Sequence, residues 1–341
     1  MPCANVHLML AGRVLEGWER APSTAPVPVQ DPEVRAAFLS GALAPDAGFV
    51  PGTRRRMSEF AHYLSPGDLT RSLLAEATSD GERAFALGWA SHVLGDVELH
   101  PLVGRAVGER LFGDRGVRVN TADDVTTHVS IEVGLDLAVG EAEGAALPKA
   151  PERSWVTAPS ARYLARALER TYQVAWTPSL LLRDQVRSGT MMRWWPSALS
   201  LVQRTGDGGV VARLLGCARA LAPEGSAHRG FFRPERPAGW LVEAVQERAA
   251  GFADRFQQGV EDGMALLGNR NLETGEENPA GTGHPATDRA WADLEGARRR
   301  QQPRPGPRPG PQPGPRPGPR REKGVVVRGS DDPDSPTTDR P

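Results

Sequence analysis

Apolar residues recur at helical spacing over most of the first 270 positions, with polar residues between them. His7–Trp18 ("HLMLAGRVLEGW") predicts one helix. "DPEVRAAFLSGAL" predicts a second, with Asp31 as its N-cap and Pro32 in its first turn. "APSTAPVPVQ" and "APDAGFVPGTRR" read as loops. A long helix opens near Ser79 or Asp80 and is expected to stop at Pro101, because the residue before a proline avoids the helical region. "TADDVTTHVSIEVGLDLAVG" predicts the next, with Thr121 as a possible cap and an end near Gly140. Residues 158–268 carry four or five more, clearest in "SARYLARALERTYQVAW" and "GWLVEAVQERAAGFADRFQQGVEDGMALLG". No alternating run demands a sheet. The expected fold is all-α, a multi-helix bundle with long loops.

From about Asn269 the pattern fades. Arg298 to Arg321 repeats Pro-x-Pro-Gly four times and holds eight arginines and no acid. Such a segment cannot build a core. The expected domains are therefore a helical unit over 1–270 and a disordered Pro/Gly/Arg-rich tail over 271–341. The tail is either a solvated extension or a ligand for a Pro-rich-recognition partner or an anionic surface.

A net charge of -1 gives no whole-chain argument for nucleic acid or membrane partners. Two cysteines, Cys3 and Cys217, form no disulfide framework or CxxC site; Cys217 reads as a buried small hydrophobe. No stretch reaches the ~18 apolar residues of a membrane span. The start of the chain lacks a basic region before its apolar run, so a cytoplasmic location is expected.

Candidate chemistry gathers in "GWASHVLGDVELHPLV". His92, Asp96 and His100 stand four residues apart, on one helical stripe with Cβ atoms ~5–6 Å apart. Their neighbours Phe85, Trp89, Val93, Val97 and Leu99 are apolar, and buried polar groups need partners. The next helix repeats the device with His128 and Glu132, and Asp124 and Asp136 continue the row. Two helices presenting His-x-x-x-carboxylate pairs inward are how bundles build metal sites. One such pair is more often a hydrogen-bonded surface feature. Two pairs and a further His, in a chain with seven histidines, favour the metal. His228 and His284 lie in polar loops and are set aside as ligands.

The order of "NVHLML", "APDAGF", "FAHYL", "ALGWASHVLGDVELHPLV" and "THVSIEVGLD" resembles the zinc-dependent phospholipase C family, whose fold is shared with fungal single-strand-specific zinc nucleases. The resemblance covers residues 1–140 well and the later helices only by class. It implies two or three zinc ions. Asp46, His62, His92 and Asp96 would hold the first, and His100, His128 and Glu132 the second. Asp96 would bridge to a third, which His7 also ligates. It further implies hydrolysis of a phospholipid or related phosphodiester by zinc-activated hydroxide, with Asp46 as ligand or as the base that orients the water. The alternatives are a single-strand nuclease-like phosphodiesterase and a non-catalytic zinc-binding module.

Two departures stand out. The gap between the ladder's Asp and the next His is three residues, shorter than in the secreted members. Those members also complete the third site with an N-terminal tryptophan, whereas this chain begins Met1-Pro2. Removal of Met1 would leave Pro2 as a possible third-ion ligand. For substrate contact, "GTMMRWWPSAL" (Met191, Met192, Trp194, Trp195) reads as either an interfacial patch or core, and Arg54–Arg56 as either a phosphate-contacting run or solvated charge.

Overall fold

The computed structural model describes residues 4–151, 156–205, 225, 227–264, 267–273 and 285–301, with side chains at all of these except 195–205, 227, 228, 285 and 286. Its helices are α1 (Ala4–Arg20), α2 (Pro32–Leu43), α3 (Arg56–Tyr63), α4 (Pro66–Glu76), α5 (Asp80–Phe112), α6 (Val125–Glu143), α7 (Ala158–Tyr172), α8 (Pro178–Thr205), α9 (Ala227–Phe231), α10 (Gly239–Ala250), α11 (Phe252–Glu261) and α12 (Pro285–Gln301). No strand occurs among the described residues, so the chain has the all-α architecture its periodicity predicts. No described helix is long and apolar enough to cross a membrane.

The central element is α5. Ser79 caps it by accepting from the Glu82 amide at 3.2 Å, and Glu82 in turn accepts from Thr78. It does not stop at Pro101. The proline sits inside the helix, which runs on until Gly113 takes a left-handed conformation at φ 72°. Proline removes one amide donor and crowds the preceding turn, at about 3 kcal/mol in an isolated helix. Here both halves are anchored: Phe85 and Trp89 are buried upstream, and Val103 and Val107 downstream. Packing holds the helix together across the break.

Helix α2, with Asp31 capping and Pro32 in its first turn as expected, crosses α5 backbone to backbone. A Cβ added at Gly41 would overlap the Phe85 carbonyl, and one at Gly88 the Phe38 carbonyl. This close approach brings the α2 main chain within reach of side chains on α5. Helix α6 begins after Asp124, not Thr121: the Asp124 carboxylate accepts from the Thr127 amide at 2.9 Å. The helix passes Gly140 and ends at Glu143, before Gly144 at φ 51°. The stretch from Gly239 is two helices, α10 and α11, parted at Gly251.

The boundary expected at residue 270 falls inside the helical unit, which extends to Gln301. Residues 267–273 pack into it: Asn269 pairs with Asp68, the Leu272 amide donates to the His62 carbonyl at 3.1 Å, and Asn271 and Glu273 are buried. Helix α12 buries Ala290, Leu294 and Ala297, and Arg298 donates to the Tyr172 carbonyl at 3.0 Å. Cys3, Cys217, His284 and the repeats from Pro303 lie outside the described residues, as does the His228 side chain.

Candidate metal centre

Five elements supply the candidate ligands. His7 comes from α1, Asp46 from a short 3₁₀ turn (Ala44–Gly48), His62 from α3, His92, Asp96 and His100 from α5, and His128 and Glu132 from α6. All eight are buried. Pro2 lies outside the described residues.

Asp96 is the hub. Its carboxylate stands 3.4 Å from His7 Nε2, 3.2 Å from His62 Nε2, 3.3 Å from His92 Nε2 and 3.5 Å from His100 Nε2. Asp46 Oδ1 lies 3.3 Å from His62 Nε2 and 3.9 Å from His92 Nε2. On the other side, Glu132 Oε1 lies 3.5 Å from His100 Nε2 and 3.0 Å from His128 Nε2. The His7 and His92 rings stack at 3.8 Å. Two triads, His7/His92/Asp96 and Asp46/His62/His92, each offer ligand atoms within 4.8 Å of one another.

The tautomers decide what these contacts are. His62 Nδ1 is 2.8 Å from the Ser58 carbonyl, and His92 Nδ1 is 2.9 Å from the Ala42 carbonyl. A carbonyl only accepts, so both Nδ1 atoms carry hydrogen and donate. In neutral rings both Nε2 atoms are then bare acceptors. Yet they stand 3.3 Å apart, beside two carboxylates. Asp96 Oδ2 is buried and accepts no well-directed hydrogen bond. One proton relieves part of this crowding. Burial alone would lower the His62 pKa, but Asp46 and Asp96 lift it to about 9. Burial and the neighbouring His7 push His92 down to about 4, so its Nε2 stays unprotonated near pH 7. Burial works against charge on Asp46 and Asp96 as well, but the chain's terminal amino charge, followed by His92 and His62, holds Asp46 below the usual range, and the surrounding imidazoles do the same for Asp96. Anionic oxygens and lone-pair nitrogens packed this closely suit a cation.

Zinc fits on donor type and on size. It takes imidazole nitrogen at ~2.0–2.1 Å and carboxylate oxygen at ~2.0–2.2 Å, so the edge of its tetrahedron is about 3.3 Å. The contacts of 3.2–3.5 Å around Asp96 match that edge.

Residues outside the ligand set hold it in place. Asp136 lies buried on α6, and its Oδ1 accepts from the amides of Asn5 at 2.6 Å and Val6 at 3.1 Å, pinning the start of α1 just ahead of His7. Asp124 caps its helix and is no ligand. The orienting carbonyls of Ser58 and Ala42 carry no signal in the sequence. The arginine run is engaged in packing. Arg54 pairs with Asp184 at 2.8 Å, Arg55 lies over Phe49, and Arg56 stacks on Phe60 and Trp176. Met192 is buried and Met191 packs against the core, while Trp194 is 66% exposed; the Trp195 side chain is not among those described.

Fold and site together define a helical domain with a buried histidine–carboxylate cluster suited to metal. The sequence pattern of the family described as "Zinc dependent phospholipase C" matches residues 6–175, a span that includes all eight candidate ligands, and the chain belongs to that family through this domain. An uncharacterized protein of Archaeoglobus fulgidus is 33% identical over 64 residues, which is 18% of this chain and 19% of that protein. The chain thus spans about a fifth of that relative's length. No solved structure matches the chain.

Proposed function

We propose that the domain is a zinc-dependent phosphodiester hydrolase acting on a phospholipid or a chemically related phosphodiester. The observation that carries the metal part is the crowding of His62 Nε2, His92 Nε2, Asp46 and Asp96 when both Nδ1 atoms are committed to carbonyls. Asp46, His62, His92 and Asp96 hold one ion; His100, His128 and Glu132 hold a second; His7 and Asp96 contribute to a third, with Pro2 as a possible further ligand. Zinc in such a cluster lowers the pKa of bound water and offsets charge on phosphoryl oxygens.

The residues around it orient and exclude. A general base works best with a pKa near the working pH, and the Asp46 carboxyl lies far below that. Asp46 therefore acts as a ligand and as an acceptor that orients water, not as the main proton store. Phe49 meets His62 edge-on at 5.0 Å and covers that side of the cluster.

Support for a lipid substrate comes from α8. Leu180, Val186 and Trp194 are exposed on one stripe of this helix, together with Arg183 and Arg187. Apolar and cationic side chains on one face suit a phospholipid interface. The same helix is fastened to the loop that follows Asp46 and Phe49, through Arg187 to the Gly52 carbonyl at 2.9 Å and Asp184 to Arg54.

The test is metal content of the purified protein, followed by hydrolysis of phosphatidylcholine vesicles, single-stranded DNA and a chromogenic phosphodiester, with and without chelator. Two or three zinc ions per chain and chelator-sensitive release from vesicles are expected. Cleavage of DNA alone would replace the substrate. Zinc without any hydrolysis would reduce the domain to a binding module.

A further inference from the structure

The outer face of α8 is cationic as well as apolar, and the cations continue onto its neighbours. Leu180, Arg183, Arg187, Thr190 and Trp194 follow at three- and four-residue spacing and are all exposed, so they share one stripe, with Val186 beside it. Arg183 lies 3.9 Å from Asp184, and Arg54 pairs with the same carboxylate at 2.8 Å. Arg187 donates to the Gly52 carbonyl at 2.9 Å. Next along that loop, Arg55 lies 3.5 Å from Glu59, and Arg289 of α12 reaches the same carboxylate at 3.4 Å. This connected surface sets five arginines against two carboxylates, both already paired. Such a local excess is hidden in a chain whose net charge is -1. The helical unit also ends at the head of α8. Gln301 accepts from the Ala175 amide at 3.1 Å, just ahead of Pro178. Residues 302–321, which follow, hold five arginines and no acid.

We infer that the α8 stripe and the arginines around it form a docking surface for an anionic phospholipid bilayer. The inference rests on the phospholipid reading above for the kind of surface, and it adds the sign of the headgroup. Guanidinium groups match phosphate oxygens in geometry and charge. A tryptophan suits the headgroup level, where its ring is apolar and its N–H stays wet. Leu180 and Val186 supply nothing to a nucleic-acid backbone but enter the acyl boundary of a bilayer, which favours lipid over RNA. Each cation held near an anionic leaflet raises partition roughly fivefold, and the attraction fades beyond a Debye length of about 10 Å at about 0.1 M salt. The opposite face of α8 grips the candidate centre: Gln185 donates to the Ala44 carbonyl at 3.1 Å, in the turn that carries Asp46. The helix that meets lipid on one side thus holds a candidate ligand's turn on the other.

The full chain as purified is sedimented with vesicles of phosphatidylcholine alone and with vesicles that are about one-third phosphatidylglycerol, at low and high salt, with a phosphodiester assay in parallel. Binding roughly tenfold or more stronger to the anionic vesicles, and lost at about 0.5 M salt, is expected. Trp194→Ser should weaken it roughly tenfold and Arg183→Gln roughly fivefold. Both side chains point outward, so the urea midpoint should not move. Should W194S lower the midpoint, Leu180→Ser at the other end of the stripe takes its place. Equal binding to the two vesicle types overturns the inference, and so does wild-type binding by W194S and R183Q. Retention on single-stranded RNA with none on anionic vesicles overturns it in favour of a nucleic-acid surface. Anionic binding without any hydrolysis supports docking while removing the catalytic reading. Hydrolysis of phosphatidylcholine with no anionic preference overturns this inference alone.

Discussion

Asp136→Asn is predicted to stabilise the metal-free protein, increasingly so as pH rises. Asp136 is fully inside, and burial pushes its carboxyl up from 3.8 to about 8, against the pull of the Asn5 and Val6 amides. A carboxyl raised on folding has no penalty below its unfolded pKa of 3.8, and its stabilising contribution is lost as pH climbs through 8. With about 1.4 kcal/mol per pKa unit, the shift costs roughly 2 kcal/mol at pH 5 and about 4 kcal/mol at pH 7. Asparagine keeps an oxygen where Oδ1 accepts from the two amides, and it cannot ionise. The stability gap between variant and wild type should therefore widen by about 2 to 3 kcal/mol from pH 5 to pH 7. Urea unfolding at both values, in the presence of chelator, measures it. Chelator matters because bound cations would attract charge onto Asp136 and shrink the shift. Parallel pH curves for the two proteins would refute the reasoning, and so would a variant that is less stable at pH 7.

Other outcomes follow from the packing and the cluster. Alanine at His92 or Asp96 should abolish zinc retention and any hydrolysis; elemental analysis and a phosphodiester assay check this, and full activity in either variant defeats the assignment. Gly88→Ala forces apart the α2–α5 crossing and should cost about 3 kcal/mol or more in urea unfolding, with zinc weakened because Ala42 moves away from His92. Deleting residues 302–341 should leave zinc content and melting temperature unchanged. Deleting 271–341 should lower both, since it removes the Leu272 bond to the His62 carbonyl and the buried face of α12. Equal behaviour of the two truncations would contradict the packing of α12.

The ladder on α5 was legible because four-residue spacing has one meaning in a helix: His92, Asp96 and His100 had to share a stripe. Asp46 and His62 were not legible in that way. They stand alone in the sequence, and only the order of motifs shared with a known family drew them in. Pro101 misled, because a local rule about helix ends lost to burial on both sides of the break. Residues 271–273 were hidden for a different reason. Their fastening runs through hydrogen bonds to Thr121, Thr287 and His62, which leave no periodic trace. Helix α12 did carry a signal. Ala290, Leu294 and Ala297 recur at three- and four-residue spacing, but the stripe is narrow and set among charged residues.

The two imidazoles with committed tautomers are oriented by main-chain oxygens, at Ser58 and Ala42. No side-chain substitution deletes a carbonyl. Sequence drift at position 42 is therefore limited by the size of the space around it and not by the chemistry of the site. Ser58 has a separate duty, accepting from the Gly48 amide at 2.7 Å. Comparison of relatives by ligand residues alone would miss this layer entirely. It is encoded in how close two helices can lie, and an insertion or deletion in α2 would reach it where a point substitution at the acceptor cannot.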